Sequence, residues 1–255
     1  VTTTATDTLV FDFEHLKKSY GPVEALRDGS LRAKPGHCHA VVGDNGAGKS
    51  TFLKVVSGAE VADGGTIRDS EGRMVTITSP QEAISLGIAT VYQNLALAEN
   101  RSVAENVFLG QEPTRFGIIS RTTMRTRSQE ALATLTSRPI PVDTLVANLS
   151  GGQRQAVAIA RALVESEKKL ILLDEPTAAL GIQESRHVLG TVMALKETGM
   201  STVMISHSLA HVFYLADDIT VFRRGRVVGY RVTSETTPEE IVSLITGAIS
   251  DGDPE

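Results

Sequence analysis

Cysteine occurs once, at Cys38, in a chain of 255 residues. A disulfide framework is thereby excluded, and a reducing compartment is expected. Long apolar runs are also missing: no stretch approaches the length that a bilayer crossing requires. No signal peptide is expected from the residues at its start. Lysine and arginine are scattered and the net charge is −5, so the basic footprint of a nucleic-acid binder is lacking. No internal repeat is visible, which implies a single unit rather than an array. What the chain does have is apolar material, 41% of its residues, enough for one large core or a core with a subdomain. These features suit a soluble cytoplasmic protein. The threonine-rich residues 1–8 and the short acidic end, 248–255, are expected to be loose.

One stretch organises the rest. Ala40-Val41-Val42 reads as a buried strand, Phe52-Leu53-Lys54-Val55-Val56 as a helix, and between them lies Gly43-Asp44-Asn45-Gly46-Ala47-Gly48-Lys49-Ser50-Thr51. This is the G-x-x-x-x-G-K-S phosphate loop in its strand–turn–helix setting. Glycine lets the backbone curl so that successive N–H groups point at phosphate oxygens where a Cβ would block approach. The helix adds the positive end of its dipole. Lys49 is placed to reach the outer phosphates and the Ser50 hydroxyl to ligate Mg²⁺. A glycine-rich turn with a solvated lysine is the competing account, and the strand and helix on either side weigh against it.

Along the chain, residues 9–32 alternate apolar and polar and predict short strands broken at Tyr20-Gly21-Pro22. The phosphate-loop helix should stop near Gly58, with short strands around Thr66-Ile67 and Val75-Thr76-Ile77. Ser79-Pro80-Gln81-Glu82 reads as a capped helix start, followed by a strand at 88–92. From Asn94 to about Leu149 strand signals vanish, and a helical insert is expected, with Leu95, Leu97, Val103, Val107, Phe108 and Leu109 needing burial. Strands at 170–173, 202–205 and 219–222, helices after Gln153 and over 183–196, an Arg224-Gly225 hairpin and a last helix from Pro238 complete the pattern. The fold class is α/β with a mainly parallel sheet, an antiparallel β subdomain and a helical insert at about 94–155.

Two further strings carry chemistry. Leu170-Ile171-Leu172-Leu173 ends in Asp174-Glu175, so a strand can deliver Asp174 beside the phosphate loop to hold Mg²⁺. Glu175 is then free to orient and polarise an attacking water; acids that merely end a strand are the alternative. Leu149-Ser150-Gly151-Gly152-Gln153 precedes a helix and is either a second anion cradle or an ordinary N-cap with glycines.

With that string the chain resembles the nucleotide-binding subunit of an ATP-binding cassette (ABC) protein, over about Leu9 to Gly247. The resemblance implies a P-loop NTPase core in which ATP and Mg²⁺ are bound by Gly43, Asn45, Gly46, Ala47, Gly48, Lys49, Ser50 and Thr51. It further implies that Gln93 senses metal and γ-phosphate, that His207 is the switch histidine, and that Tyr20 stacks on adenine. A half-buried strand-end role for Tyr20 stays open. Ser50, Gln93 and Asp174 are the implied metal residues; Glu175, His207 and Gln93 are the implied catalytic ones. Two subunits would pack head to tail, the signature residues Ser150, Gly151, Gly152 and Gln153 closing over the other's ATP.

Gly181 departs from the family pattern, which has an aspartate there. A glycine at this place, and Ser102-Val103-Ala104-Glu105-Asn106-Val107-Phe108-Leu109-Gly110, resemble the branch of bacterial monosaccharide importers for ribose, xylose or fructose. That branch implies membrane-spanning permease subunits, a periplasmic-type sugar-binding protein acting indirectly, a position on the inner face of the plasma membrane and no nucleic-acid partner. The rival is a soluble cassette remodelling nucleic acid or ribosomes. Phosphate loop and signature lie only ~100 residues apart without sustained heptads, which opposes the coiled-coil relatives of that class.

Overall fold

The structure, a computed structural model, describes residues 9–136, 138–164 and 168–249. The expected loose residues 1–8, and most of 248–255, lie outside the described residues.

The chain opens with an antiparallel hairpin, β1 (Phe11–Tyr20) and β2 (Val23–Ala33). Phe11, Phe13 and Leu16 are buried to 1% exposure or less. The spacing from Phe13 to Leu16 breaks strict alternation, and the ladder slips there at His15, whose φ is 51°; the extra residue of a bulge restores Leu16 to the inner face. Then follow β3 (Cys38–Gly43), α1 (Lys49–Val56), β4 (Gly64–Asp69), β5 (Met74–Val75), α2 (Pro80–Ser85) and β6 (Ile88–Val91). Ser79 caps α2 by accepting the Glu82 N–H, as its spacing predicts.

The insert holds α3 (Val103–Val107), β7 (Thr114–Arg115), β8 (Ile118–Ile119), α4 (Arg121–Leu135), a 3-10 turn (Val146–Asn148) and α5 (Gly151–Leu163). Val103, Val107 and Phe108 are buried in a core against which Leu95 and Leu97 also pack, partly buried. Two expectations need correction. Leu109 is 46% exposed, because α3 ends at Val107 and the chain beyond it turns this side chain outward. A β7–β8 hairpin interrupts the helices; strands of two residues are too short to show alternation in sequence.

The remainder is β9 (Leu170–Asp174), α6 (Ile182–Glu197), β10 (Ser201–Ile205), α7 (Leu209–Leu215), β11 (Asp218–Arg223), β12 (Arg226–Val232), a 3-10 turn (Thr233–Glu235) and α8 (Pro238–Thr246). Among the described residues, one ten-stranded sheet runs β5-β4-β1-β2-β12-β11-β3-β10-β9-β6. The five strands from β11 to β6 are all parallel, and the β5-β4-β1-β2 end is antiparallel. In β9, Ile171 and Leu173 enter the core under the insert, while Leu170 and Leu172 enter the core beneath the antiparallel end. Both faces being covered explains why β9 is an unbroken apolar run.

Strand register sets the site. The last pairs Ile205↔Asp174 and Val91↔Leu173 leave Gln93, Glu175 and His207 just past the carboxyl ends of three adjacent strands. Gly43 ends the fourth, β3. Crevices beyond such strand ends are where open α/β sheets bind ligands.

Candidate functional site

The phosphate loop leaves β3 at Gly43 (φ 150°) and turns through Gly46 (φ 75°) and Gly48 (φ 105°). A Cβ on Gly43 would collide with the Phe222 carbonyl, and one on Gly48 would sit 2.9 Å from the Ala25 carbonyl. The loop is therefore closed to side chains at both hinges. No side chain caps α1, so the N–H groups of its first turn, which have no carbonyl one turn back, face the cradle. Lys49 is only 5% exposed, and its Nζ donates to the Gly43 and Asp44 carbonyls at 2.8 and 2.9 Å. Burial pulls its pKa down, against the attraction of Glu175, Asp44 and Asp174. A buried cation inside a ring of amides fits polyphosphate.

Asp174 ends β9 beside this lysine. Burial raises its pKa, and the neighbouring Glu175 raises it further against Lys49 and Lys54. An acid held at such cost is one that a cation relieves. Among the described residues no three His, Cys, Asp or Glu side chains converge as a metal cage. A hydroxyl, an amide and one carboxylate (Ser50, Gln93, Asp174) instead match an ion that keeps most of its oxygens from water and phosphate, as Mg²⁺ does.

Glu175 has φ 48° and donates its N–H to the Ile205 carbonyl at 3.0 Å. A left-handed non-glycine residue is uncommon and tends to mark a functional position. Its Oε1 lies 2.7 Å from Nε2 of His207. Gln93 is exposed beyond β6. Tyr20, 41% exposed, ends β1 with Lys18 Nζ 5.7 Å from its ring centre. The adjacent Ser19 N–H is held by Asp63 Oδ2 at 2.6 Å.

The second glycine string opens α5. Ser150 Oγ accepts the Gln153 N–H at 3.3 Å and Gln153 Oε1 accepts the Ser150 N–H at 3.0 Å, a reciprocal capping box. Both accounts of Ser150–Gln153 thus coexist: the string is an N-cap, and its glycine amides remain at a helix start. The structure packs these residues on α6 rather than on the phosphate loop of the same chain. Gly151 donates to Glu184 Oε1 at 2.8 Å.

Sequence reasoning missed three participants. Arg161 of α5 donates to the Leu95 and Ala96 carbonyls at 2.5 and 2.9 Å and so holds the segment after Gln93. Asn106, fully buried, exchanges two bonds with Ala98 and fixes the same segment from α3. Glu184 is the third; its G-x-x-E spacing from Gly181 is the available signal.

Residues 26–178 match the ABC transporter family. The chain belongs to that family. Its cassettes bind and hydrolyse ATP. The chain is 43% identical to a fructose import ATP-binding protein of Rhizobium meliloti, over 91% of this chain and 92% of that protein. It is 40% identical to a xylose/arabinose import ATP-binding protein of Sulfolobus acidocaldarius, over 93% and 94%. A ribose import ATP-binding protein of Burkholderia ambifaria is 36% identical over 93% of this chain, and the cassette spans 46% of that protein's length. Among solved structures, an ABC transporter cassette in its ADP conformation superposes with a TM-score of 0.79 at 26% identity, covering 93% of this chain and 95% of that one. A dimeric cassette bound to ADP and Pi after hydrolysis gives 0.71 at 26%, over 88% and 98%. Among the described residues no helix is long and apolar enough to cross a membrane.

Proposed function

We propose that this cassette is the ATPase subunit of an importer for a monosaccharide, residues 9–247 acting as one nucleotide-binding unit on the inner face of the plasma membrane. The observation that carries the catalytic part is the Glu175–His207 contact at 2.7 Å, at the strand ends next to Lys49 and Asp174. The relatives named for fructose and xylose/arabinose import support the transport part.

In this reading Tyr20 stacks on adenine, the amides of Gly46 and Gly48 with Lys49 hold the phosphates, and Ala47, whose N–H is given to the Asp44 carbonyl, keeps the loop closed around them. Gly43, Asn45 and Thr51 shape that loop. Ser50, Asp174 and Gln93 would hold Mg²⁺, which would offset charge on the β- and γ-phosphate oxygens. Glu175 orients the attacking water and accepts its proton. His207 positions Glu175 and can donate to the γ-phosphate. Two copies close head to tail, Ser150, Gly151, Gly152 and Gln153 of each facing the γ-phosphate bound by the other. Hydrolysis reopens the pair, and residues 93–109 pass the motion to membrane-spanning permease subunits, with a sugar-binding protein delivering solute outside.

The test is affinity capture of tagged Glu175→Gln protein from detergent-solubilised native membranes with ATP and Mg²⁺, read by mass spectrometry. A multi-span permease in the eluate is the expected result. Ribosomal or DNA-associated proteins with no membrane subunit would overturn the importer reading.

A further inference from the structure

We propose that Glu184 is a positioning residue that splints the signature turn, Ser150–Gln153, to the Gly181 loop of the same subunit, so that the two move as one piece when cassettes close on ATP. The inference rests on the head-to-tail dimer reading above.

The carboxylate of Glu184 divides its oxygens between two chain segments. Oε1 accepts the Gly151 N–H at 2.8 Å, and Oε2 accepts the Gly181 N–H at 3.2 Å. The second bond alone would suffice to cap α6. The first adds nothing to α6 and reaches 33 residues back to the start of α5. Packing around the bridge is equally close. A Cβ on Gly151 would lie 2.5 Å from Leu180 Cδ2, and one on Gly152 would lie 3.1 Å from the Glu184 carbonyl. The signature glycines thus sit close against Leu180 and the first turn of α6.

The splint leads directly to the chemistry. Only the loop from Glu175 to Gly181 separates it from the catalytic carboxylate. That loop is wound tight: Ala178 donates to the Glu175 carbonyl at 3.0 Å, Leu180 donates to that of Thr177 at 3.4 Å, and Ala179 has φ 57°. A phosphate of the partner subunit arriving at the signature therefore bears on the backbone that sets Glu175. Gly181 has no side chain with which to contact a partner, and Glu184 gives this chain an internal connection between the signature and its own hydrolytic residue.

The experiment compares Glu184→Ala, Glu184→Gln and the double variant Gly181→Ser/Glu184→Ala, each in the wild-type and Glu175→Gln backgrounds. Gly181 has φ −68° and no neighbour tight against its Cβ position, so a serine introduced there can restore a helix cap without touching Gly151. Fluorescent-nucleotide titration reads ATP affinity, light scattering reads the ATP-dependent dimer, and thermal unfolding reads the cap. Glu184→Ala should leave monomer affinity for ATP within about twofold and weaken the Glu175→Gln dimer by about tenfold, as loss of a charged hydrogen bond implies. Glu184→Gln, with one acceptor left, should fall between. Adding Gly181→Ser to Glu184→Ala should recover the share of the melting temperature lost with the α6 cap while the dimer stays weak. Recovery of the dimer by that second change, or an undiminished dimer in Glu184→Ala beside an intact parent dimer, would overturn the splint alone. Absence of an ATP-dependent dimer in the Glu175→Gln parent would overturn the dimer reading and the splint with it.

Discussion

His207 Nε2 and Glu175 Oε1 lie 2.7 Å apart, one residue past the end of β9 meeting one two residues past the end of β10. The contact bridges neighbouring parallel strands at the rim of the nucleotide crevice. It restrains a carboxylate whose own backbone is already held in the left-handed region at φ 48°.

In the proposed reading the two side chains act as a unit, and their removal should be non-additive. Glu175→Gln should lower kcat roughly a hundredfold or more, the range for a lost general base, with ATP affinity retained. His207→Ala should cost roughly tenfold to a hundredfold on its own and little more in the Glu175→Gln background. Steady-state ATPase assays on the four proteins decide the matter. Full additivity would mean the contact has no catalytic consequence.

Asp174 predicts a trade between stability and activity. Its pKa is raised from 3.8 by burial and by Glu175. Between the ordinary and the raised value the native chain holds more protons than the unfolded chain, so stability declines as pH rises through that window. At neutral pH the ionised group costs the nucleotide-free fold. Asp174→Asn should therefore raise the melting temperature without nucleotide, where about 1 kcal/mol corresponds to roughly 2–4 °C in a chain of this size, while Mg²⁺-dependent hydrolysis is lost. A lower melting temperature would contradict this account.

Arg161 is expected to control the segment after Gln93. Arg161→Ala removes the charged donor from the Leu95 and Ala96 carbonyls, which water partly replaces at the exposed Ala96, at a cost of about 1 kcal/mol. Amide exchange over 94–98 should quicken while α5 remains protected. Arg161→Lys should recover little, since one ammonium does not reproduce the planar fork. Unchanged exchange in Arg161→Ala would remove the tether from the mechanism.

His39 predicts acid lability far from the nucleotide. It is fully buried, its Nε2 lies 2.7 Å from Thr220 Oγ1, and burial lowers its pKa to about 4. Asp218 pulls the other way, while Lys34 and His37 reinforce the shift; Tyr230 bonds Asp218 on the same side. The neutral form is the folded one, so its contribution is complete above the ordinary histidine pKa of 6.5 and is lost as pH falls toward 4. The loss is on the order of 3 kcal/mol. Denaturant melts of His39→Gln between about pH 7.5 and 4.5 should show a shallower decline than wild type. Parallel curves would assign the acid sensitivity elsewhere.

The phosphate loop is legible in sequence because its function is made by local backbone geometry, and residues next to each other in the chain create it. The same holds for β9 with Asp174 and Glu175, and for the caps at Ser79 and Ser150. Register carries the rest of the crevice: once β6, β9, β10 and β3 run parallel, Gln93, Glu175, His207 and Gly43 must share an edge. What stays hidden joins residues distant in sequence. Glu184 reads locally as a helix-start acid, and nothing in its neighbours announces Gly151. Arg161 looks like a solvated residue on an amphipathic helix. Leu109 looks buried because its spacing continues that of α3, and only the early end of the helix turns it to solvent. The bulge at His15 leaves a slip in alternation that is clear once the strands are paired.

The turn between β11 and β12 carries a last consequence. Gly225 donates its N–H to the Ala47 carbonyl at 2.9 Å and accepts the Arg27 and Asp28 N–H groups at 2.7 and 3.0 Å. Phosphate loop and antiparallel end are thereby pinned to a common post by main chain alone. In the proposed reading, with Tyr20 stacking on the base and Lys49 holding the phosphates, this post would set the spacing between the two ends of the ligand. A ligand would then be measured from its base to its last phosphate before a second cassette closes over it.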